Sequence, residues 1–372
     1  MSSVSVHSSI ADIGRAAWDG AAAASGNPFV SFDFLDILEK SGCVGPSTGW
    51  TPCHLAAAGG VMPLYLKTHS QGEYVFDHAW ADAYERAGGR YYPKLLSASP
   101  FSPVTGPRLI AADDATRRAL LAGAVELTGK LGASSLHVTF PLQDEWRLMG
   151  EAGLLQRQDQ QFHWHNAGYA TFDDFLAALS SSHRKTIRRE RRLAQAEVEI
   201  VALSGGDLTE DHWDAFFGFY MDTGARKWGR PYLNRLFFSL LGERMADKTL
   251  LILAKRNGAY VAGALNLIGA DALYGRHWGA VEDIPFLHFE LCYYQAIEQA
   301  IGLGLARVEA GAQGGHKIAR GYLPQAVHSA HFIADPALRA PVARYLAQER
   351  PAVAGEIDAL TRTYSPFSQR GG

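Results

Sequence analysis

Two stretches of this chain, 172 residues apart, carry the same short pattern. Ala124-Val125-Glu126, Leu131-Gly132 and Leu136 stand at the same spacing as Ala296-Ile297-Glu298, Leu303-Gly304 and Val308. In each copy a helix-period run ends at glycine and feeds a short apolar strand. Arg118 to Lys130 precedes Ser134 to Phe140, and Leu287 to Ile301 precedes Ala306 to Ala310. The offset is close to half of the 372 residues, as a duplicated domain would give. A chain of this length also exceeds what one hydrophobic core usually serves.

Around the repeat the two halves read alike. Thr51 to Ala58, Val61 to Thr68 and Glu73 to Phe76 have the composition of short strands with turn residues between them. Thr249 to Lys255 and Tyr260 to Ile268 flank Arg256-Asn257-Gly258, a strong hairpin signal, and Ala272 to Gly279 adds a third strand. Each half is expected to run helices, an antiparallel meander, then helix and strand. That is an α/β (α+β) fold with a mixed sheet, in two domains, 1–168 and 169–372, the second carrying the main site. No G-x-G-x-x-G follows a strand, so a doubly wound dinucleotide fold is not expected.

A net charge of −3 argues against wholesale nucleic-acid binding, DNA included, and leaves local patches to decide partners. Cys43, Cys53 and Cys292 form no C-x-x-C pair, which fits a reducing compartment. Met1 to Gly14 has no Lys or Arg and no long apolar run, and no stretch approaches the ~18 apolar residues of a membrane span. A cytoplasmic protein that can touch a membrane surface is expected.

Reactive side chains concentrate in Ala306 to Tyr322, A-R-V-E-A-G-A-Q-G-G-H-K-I-A-R-G-Y. Here Glu309, Gln313, His316, Lys317 and Arg320 are threaded through glycines. Glycine lets a backbone approach a ligand, and these side chains move protons and hold anions. In Tyr274-Gly275-Arg276-His277-Trp278-Gly279, strand alternation predicts Tyr274, Arg276 and Trp278 on one face and His277 on the other. His277 gains weight because its strand is expected beside the one carrying Glu309. His288 and Glu290 open the next helix, where an anion is favoured, although a lone His is more often a satisfied structural group.

A second concentration follows a capping box at Thr171 and Asp174. Arg184, Lys185, Arg188, Arg189, Arg191 and Arg192 crowd into one short helical stretch with only Glu190 among them. Helical spacing puts Arg184, Arg188, Arg191 and Arg192 on one face, away from Ile187. Such a face suits a pyrophosphate, an RNA backbone or lipid heads; a merely solvated helix is the competing reading. In the first half Asp77, Trp80 and Asp82 lie in a polar aromatic run. The rigid loop from Pro100 to Arg108 offers Gly106 and Arg108 to a phosphate, or is an ordinary surface loop. There is no P-loop, H-E-x-x-H, G-x-S-x-G or paired Cys/His set, and His163 and His165 lack a third ligand, so no metal is expected.

Several of these segments resemble a family. They are S-S-S-H-R-K-T-I-R-R-E-R-R, P-F-L-H-F-E-L-C-Y-Y-Q-A-I-E and E-A-G-A-Q-G-G-H-K-I-A-R-G-Y-L-P. The first half adds D-H-A-W-A-D-A-Y-E-R-A-G-G-R-Y-Y-P-K-L and P-F-S-P-V-T-G-P-R. They are similar to the FemAB-like proteins of Gram-negative bacteria, the peptidoglycan biosynthesis or recognition type within the GNAT acyltransferase superfamily. The resemblance implies two tandem GNAT-like domains. It also implies transfer of an activated acyl or aminoacyl group onto an amine of a cell-envelope precursor, peptidoglycan-type or lipid.

The donor would then be a phosphate-bearing co-substrate (aminoacyl-tRNA, acyl-CoA or acyl carrier protein) and not a bound cofactor. The acceptor would be a small-molecule or lipid-linked amine, met peripherally at the inner membrane. A long-chain donor would pair with a sphingoid-type amine and need an apolar tunnel. Phe216 to Tyr220 and Phe237-Phe238 are candidates for lining one, though their helical spacing suits core packing better. A non-catalytic binder of anionic glycan, lipid or RNA is the alternative from another class.

Where GNAT enzymes carry Q/R-x-x-G-x-G/A, this chain has Glu282-Asp283-Ile284-Pro285-Phe286. Donor phosphates are therefore expected at the basic helix (Arg184, Lys185, Arg188, Arg189, Arg192), at His316-Lys317 with Arg320, or at Gly106 and Arg108. Glu309 is the first candidate for base, followed by His277 and His316. Lys317, Arg320, Gln313, Arg276, Trp278, His288, Glu290, Asp77, Trp80 and Asp82 are the expected substrate contacts.

Overall fold

The computed structural model describes residues 3–227, 231–311 and 314–368. The chain divides into two compact mixed α/β units, Met1–Asp159 with Ala326–Glu356, and Gln160–Gln325 with Ile357–Gly372. Residues 326–356 thus return to the first unit, a crossing-over that the expected division at residue 168 lacks.

The first unit contains β1 (Ser5–His7), β2 (Trp50–Pro52), β3 (His54–Ala57), β4 (Gly60–Met62), β5 (Tyr65–Lys67), β6 (Lys94–Ser97), β7 (Ile110–Ala111) and β8 (Ser135–Thr139). β1-β3-β4-β7 form a small sheet, and β8-β6-β5-β2 run side by side in another. Between β7 and β8 the helix Asp114–Lys130 is N-capped by Asp113, whose side chain accepts from the Thr116 amide at 2.8 Å. Its Leu120, Leu121, Ala124 and Leu127 pack on Leu55, Met62, Leu95 and Leu136. This crossover lays β8 parallel to β6, with Leu136 opposite Leu95. The stretch Glu73 to Phe76 is not the expected strand. Its Glu73 turns inward onto Lys94 (2.7 Å), so ion pairing fixes this segment where a ladder was expected.

The second unit contains the end of β9 (Leu155–His165), β10 (Glu199–Leu203), β11 (Thr249–Arg256), β12 (Ala259–Ile268), β13 (Ala272–Ala280) and β14 (Arg307–Glu309), ordered β10-β11-β12-β13-β14-β9. Asn257 (φ 51°) and Gly258 (φ 82°) close the β11–β12 hairpin with both residues left-handed, as the sequence predicts. One face of the sheet buries Ile252, Ala262, Ala264, Leu273, Val308 and Trp164 against Ile187, Leu291 and Ile297 of the helices. On the other face Gly263 and Gly279 admit the aromatic helix Glu210–Lys227. A Cβ on Gly279 would stand 2.2 Å from the Phe219 carbonyl oxygen. Phe216, Phe219, Tyr220, Phe237 and Phe238 are buried core. β15 (Leu323–Ile333) ends in the first unit, pairing His331 with His137 on β8. Among the described residues no helix is long and apolar enough to cross a membrane.

Candidate active site

β13 and β14 are parallel for only three pairs, Ala272 with Arg307, Leu273 with Val308 and Tyr274 with Glu309. Beyond these β13 continues beside β12, while Ala310 and Gly311 stay with β9 through hydrogen bonds to Phe162. The strands part, and a cavity of about 120 Å³ opens at the split, lined by Asn266, Gly275, Trp278, His288, Cys292 and Tyr293 among others.

A β-bulge sets which side chains face it. Leu265 pairs with His277 and Asn266 with Gly275, so Arg276 is an extra residue. One inserted residue reverses the alternation. The expected faces are therefore wrong: Tyr274 and His277 share one face, and Trp278 lies on the other. The His277 ring packs on Tyr220 (centroids 5.1 Å apart), and burial, with the Arg276 cation, pushes its pKa down to about 3. It is a neutral, packed imidazole.

The connecting helix supplies the rest. After Phe286 (φ 66°) come a helical turn, Leu287–Phe289, a π-helical turn, Glu290–Tyr294, and the α-helix Gln295–Gly302. The π-turn divides its side chains. His288, Cys292 and Tyr293 line the cavity, whereas Glu290 accepts from Arg191 (3.1 Å), Gln195 (2.8 Å) and Gln295 (2.8 Å). Glu290 is an internal ion-pair partner and not a ligand for substrate. Trp278 and His288 meet edge to face at 5.2 Å.

Tyr293 Oη lies 3.1 Å from Nε2 of the exposed His316. Burial raises the Tyr293 hydroxyl, and burial with Arg320 and Lys317 lowers His316. At neutral pH a protonated phenol therefore donates to a neutral imidazole. The glycine before it is required: Gly314 has φ 106°, and a Cβ there would stand 2.4 Å from the His316 ring.

Glu309 lies outside the cavity lining. It shares a sheet face with Tyr274 and with His163, its partner on β9. Its Oε1 accepts from Arg307 Nε at 3.0 Å. Oε2 and His163 Nε2, 3.9 Å apart, have no hydrogen-bond partner among the described residues. Burial raises the Glu309 carboxyl against the pull of Arg307. Glu309, His277 and His316 are thus not one converging triad: Arg276 and His277 border the cavity, His316 meets it through Tyr293, and Glu309 lies outside its lining. Sequence reasoning missed Tyr293, Cys292 and Asn266, for which no motif gives a signal.

Some of the expected phosphate-binding cations are occupied within the fold. Lys317 is buried with Nζ on the carbonyls of Ala310 (2.6 Å) and Gly311 (3.1 Å), where it braces the strand end. Arg320 is buried on both oxygens of Glu190 (2.8 and 2.9 Å) and stacks over Phe289 at 3.5 Å. Gln313 lies outside the described residues. In the helix Ser181–Gln195, Arg191 turns inward to Glu290 and Glu298, contrary to the expected face. Lys185, Arg188, Arg189 and Arg192 are exposed and Arg184 is half-buried.

In the first unit Asp77 is buried and accepts from Lys94 and from Tyr91 Oη (2.7 Å), while Trp80 packs on His331 at 5.0 Å and Asp82 is exposed. Arg108 is wholly buried and donates to the carbonyls of Thr139 (2.9 Å), Val104 (2.7 Å), Gly106 (3.0 Å) and Pro107 (3.1 Å). Gly106 is backed by Asn27, 2.5 Å from where a Cβ would stand. Neither Gly106 nor Arg108 is presented to a phosphate. Among the described residues no group of His, Cys, Asp and Glu is placed to hold a metal ion.

No curated protein matches the chain. Solved structures share its fold, and three of them are FemX, L-PGS and a conserved Bacteroides protein. FemX is 11% identical, with a TM-score of 0.55 over 88% of this chain and 98% of its own. L-PGS from Bacillus licheniformis is 9% identical, with a TM-score of 0.51 over 87% and 98%. A conserved protein of unknown function from Bacteroides thetaiotaomicron VPI-5482 is 13% identical, with a TM-score of 0.52 over 88% and 99%. At such identities the likeness is one of fold alone. The sequence pattern described as FemAB-like, peptidoglycan biosynthesis/recognition, matches residues 9–369, and the chain belongs to the FemAB-like family.

Proposed function

We propose that the protein is an acyltransferase that moves an activated acyl or aminoacyl group onto an amine of a cell-envelope precursor. The observation that carries this reading is the split between β13 and β14, with His288 and Tyr293 facing into it from the connecting helix. A space of about 120 Å³ equals roughly four waters' share of liquid volume. It admits the reacting ends of two substrates and leaves their carriers outside. The family's description and the folds shared with FemX and L-PGS support the envelope side of the reading.

In the reaction His288 takes one proton from the ammonium. The amine then forms the C–N bond at the ester or thioester carbonyl. When the tetrahedral adduct collapses, the bond to the carrier's oxygen or sulfur breaks, and Tyr293 gives its proton to that atom. The second nitrogen proton restores the phenol, and the His288 proton leaves to water. His316, neutral beside the phenol, holds the hydroxyl in place. Glu282 and Asp283 precede the helix where a pyrophosphate would need glycine and positive charge, which favours an aminoacyl ester over free acyl-CoA as donor.

The test supplies aminoacyl-tRNA, acyl-CoA and acyl carrier protein in parallel, with lipid-linked peptidoglycan precursors and lipid amines as acceptors, and reads products by mass spectrometry. Tyr293→Phe and His288→Ala should each lower kcat about 10² to 10⁴-fold. Glu309→Gln, outside the cavity lining, and His277→Ala, whose ring is packed on Tyr220, should lower it less. No product from any donor, or full turnover in both of the first two variants, defeats the reading.

A further inference from the structure

The helix Ser181–Gln195 has an outward face that the proposed reaction does not use. Its inner side is pinned: Ile187, Glu190 and Ala194 are buried, Glu190 holds Arg320, and Arg191 holds Glu290 and Glu298. Lys185, Arg188, Arg189 and Arg192 are left outside. Of these four, only Arg188 has a carboxylate partner among the described residues, Asp173 at 3.2 Å, and both side chains are largely exposed. Leu193 stands among the cations, one turn beyond Arg189, and is 39% exposed.

We propose that this face docks the protein on an anionic phospholipid surface. The chain as a whole carries a net charge of −3, so it has no general attraction to such a surface, and contact must be made through a local patch of cations. Each basic residue near an anionic membrane adds about fivefold to the partition constant, so four give roughly several hundredfold, reduced by Asp173. That is the range of reversible, peripheral binding. Leu193 decides between lipid and RNA. At a membrane an exposed leucine flanked by arginines enters the headgroup boundary. Against an RNA backbone it would face charged oxygens and gain nothing. The inner face of the same helix grips the π-turn Glu290–Tyr294, whose Tyr293 lines the cavity. A lipid-borne amine would thus be met by a molecule already held at its surface. The docking stands whether or not the proposed transfer occurs.

The experiment is flotation of the full chain with vesicles of phosphatidylcholine alone and of phosphatidylcholine mixed with phosphatidylglycerol, across a salt series. Binding is expected only with phosphatidylglycerol, should weaken steeply with salt, and should fall at least about tenfold when Lys185, Arg188, Arg189 and Arg192 are all changed to Glu. Because four reversals could disturb the helix, two single variants are read beside them. Leu193→Ser should weaken binding and Asp173→Asn should strengthen it, both with unchanged circular dichroism. Equal binding to pure phosphatidylcholine, or phosphatidylglycerol binding untouched by the substitutions, overturns the proposal. So does binding of bulk RNA that the four reversals abolish, if the vesicles leave the protein unbound.

Discussion

His137 and His331 face each other across β8 and β15 with Nδ1 atoms 2.7 Å apart, one donating and the other accepting. Their outer nitrogens meet Ser135 (2.8 Å) and Ser329 (2.9 Å). Burial pushes His137 down to about 3 and His331 well below its usual value; Lys94 and Arg157 add to the effect, and Asp77 opposes it. Both rings are neutral in the folded protein, whereas an unfolded histidine titrates near 6.5. The unfolded chain therefore binds more protons below that value. The stability these rings contribute is complete above about pH 6.5 and is lost as pH falls towards 3. Denaturant unfolding of the wild type between pH 7 and 4 should show this decline, the pair contributing up to two protons to a slope to which the buried His277 and His163 add in the same direction. A flat profile would mean that the rings are not held neutral. Such a network was not legible in the sequence. A histidine's partner here lies 194 residues away, and local pattern carries no trace of it. The same holds for Arg320 with Glu190 and for Arg108 with its four carbonyls, which were expected to meet phosphate. Changing Arg320 to Met strands the Glu190 carboxylate in the core and should cost about 3–5 kcal/mol in a denaturant titration, as breaking one side of a buried pair does.

Two single-residue insertions shape the site, the bulge at Arg276 and the π-turn Glu290–Tyr294. Periodicity finds the strand and the helix but assumes their periods are unbroken. It therefore misplaces His277 and treats Tyr293 as ordinary helix surface. Gly275 stands beside the bulge, but no glycine or proline stands in the π-turn to announce it. The π-turn has a consequence for function. It lets one short helix give Glu290 and Tyr294 to Arg191 and Glu190 while giving His288, Cys292 and Tyr293 to the cavity. Deleting Cys292 would close the turn into regular helix and rotate one flank by about 100° relative to the other. Either Tyr293 leaves the cavity or Glu290 leaves Arg191. Loss of activity is expected together with a lowered melting temperature, whereas Cys292→Ser should keep both near wild type. If the deletion is as active as the substitution, the π-turn does not position the reacting groups.

Across the whole molecule the repeat read from Ala124 and Ala296 marks the same structural part twice. β6, a helix and β8 lie parallel in one unit, and β13, a helix and β14 in the other, with Leu136 opposite Leu95 and Val308 opposite Leu273. The two copies diverge beyond the parallel pair. Past Ser97 and Val138 the first unit is filled. Arg108 donates to the Thr139 carbonyl, and the Gly106 amide donates to that of Phe140. Past Tyr274 and Glu309 the second unit holds its cavity. A duplicated scaffold with one copy plugged and the other open explains why cations of similar appearance in the sequence have unlike roles. The division of labour can be tested with two variants. Arg108→Ala leaves four buried carbonyls without their donor and should lower the melting temperature by several degrees or more, since each kcal/mol is worth about 2–4 °C in domains of this size. Assayed well below that temperature, its kcat should stay near wild type. Tyr293→Phe removes one hydroxyl at the cavity wall and should do the reverse, with turnover collapsing at an unchanged melting temperature. If Arg108→Ala lowers kcat as far as Tyr293→Phe does, the first unit takes part in the chemistry and the plugged copy is no mere scaffold.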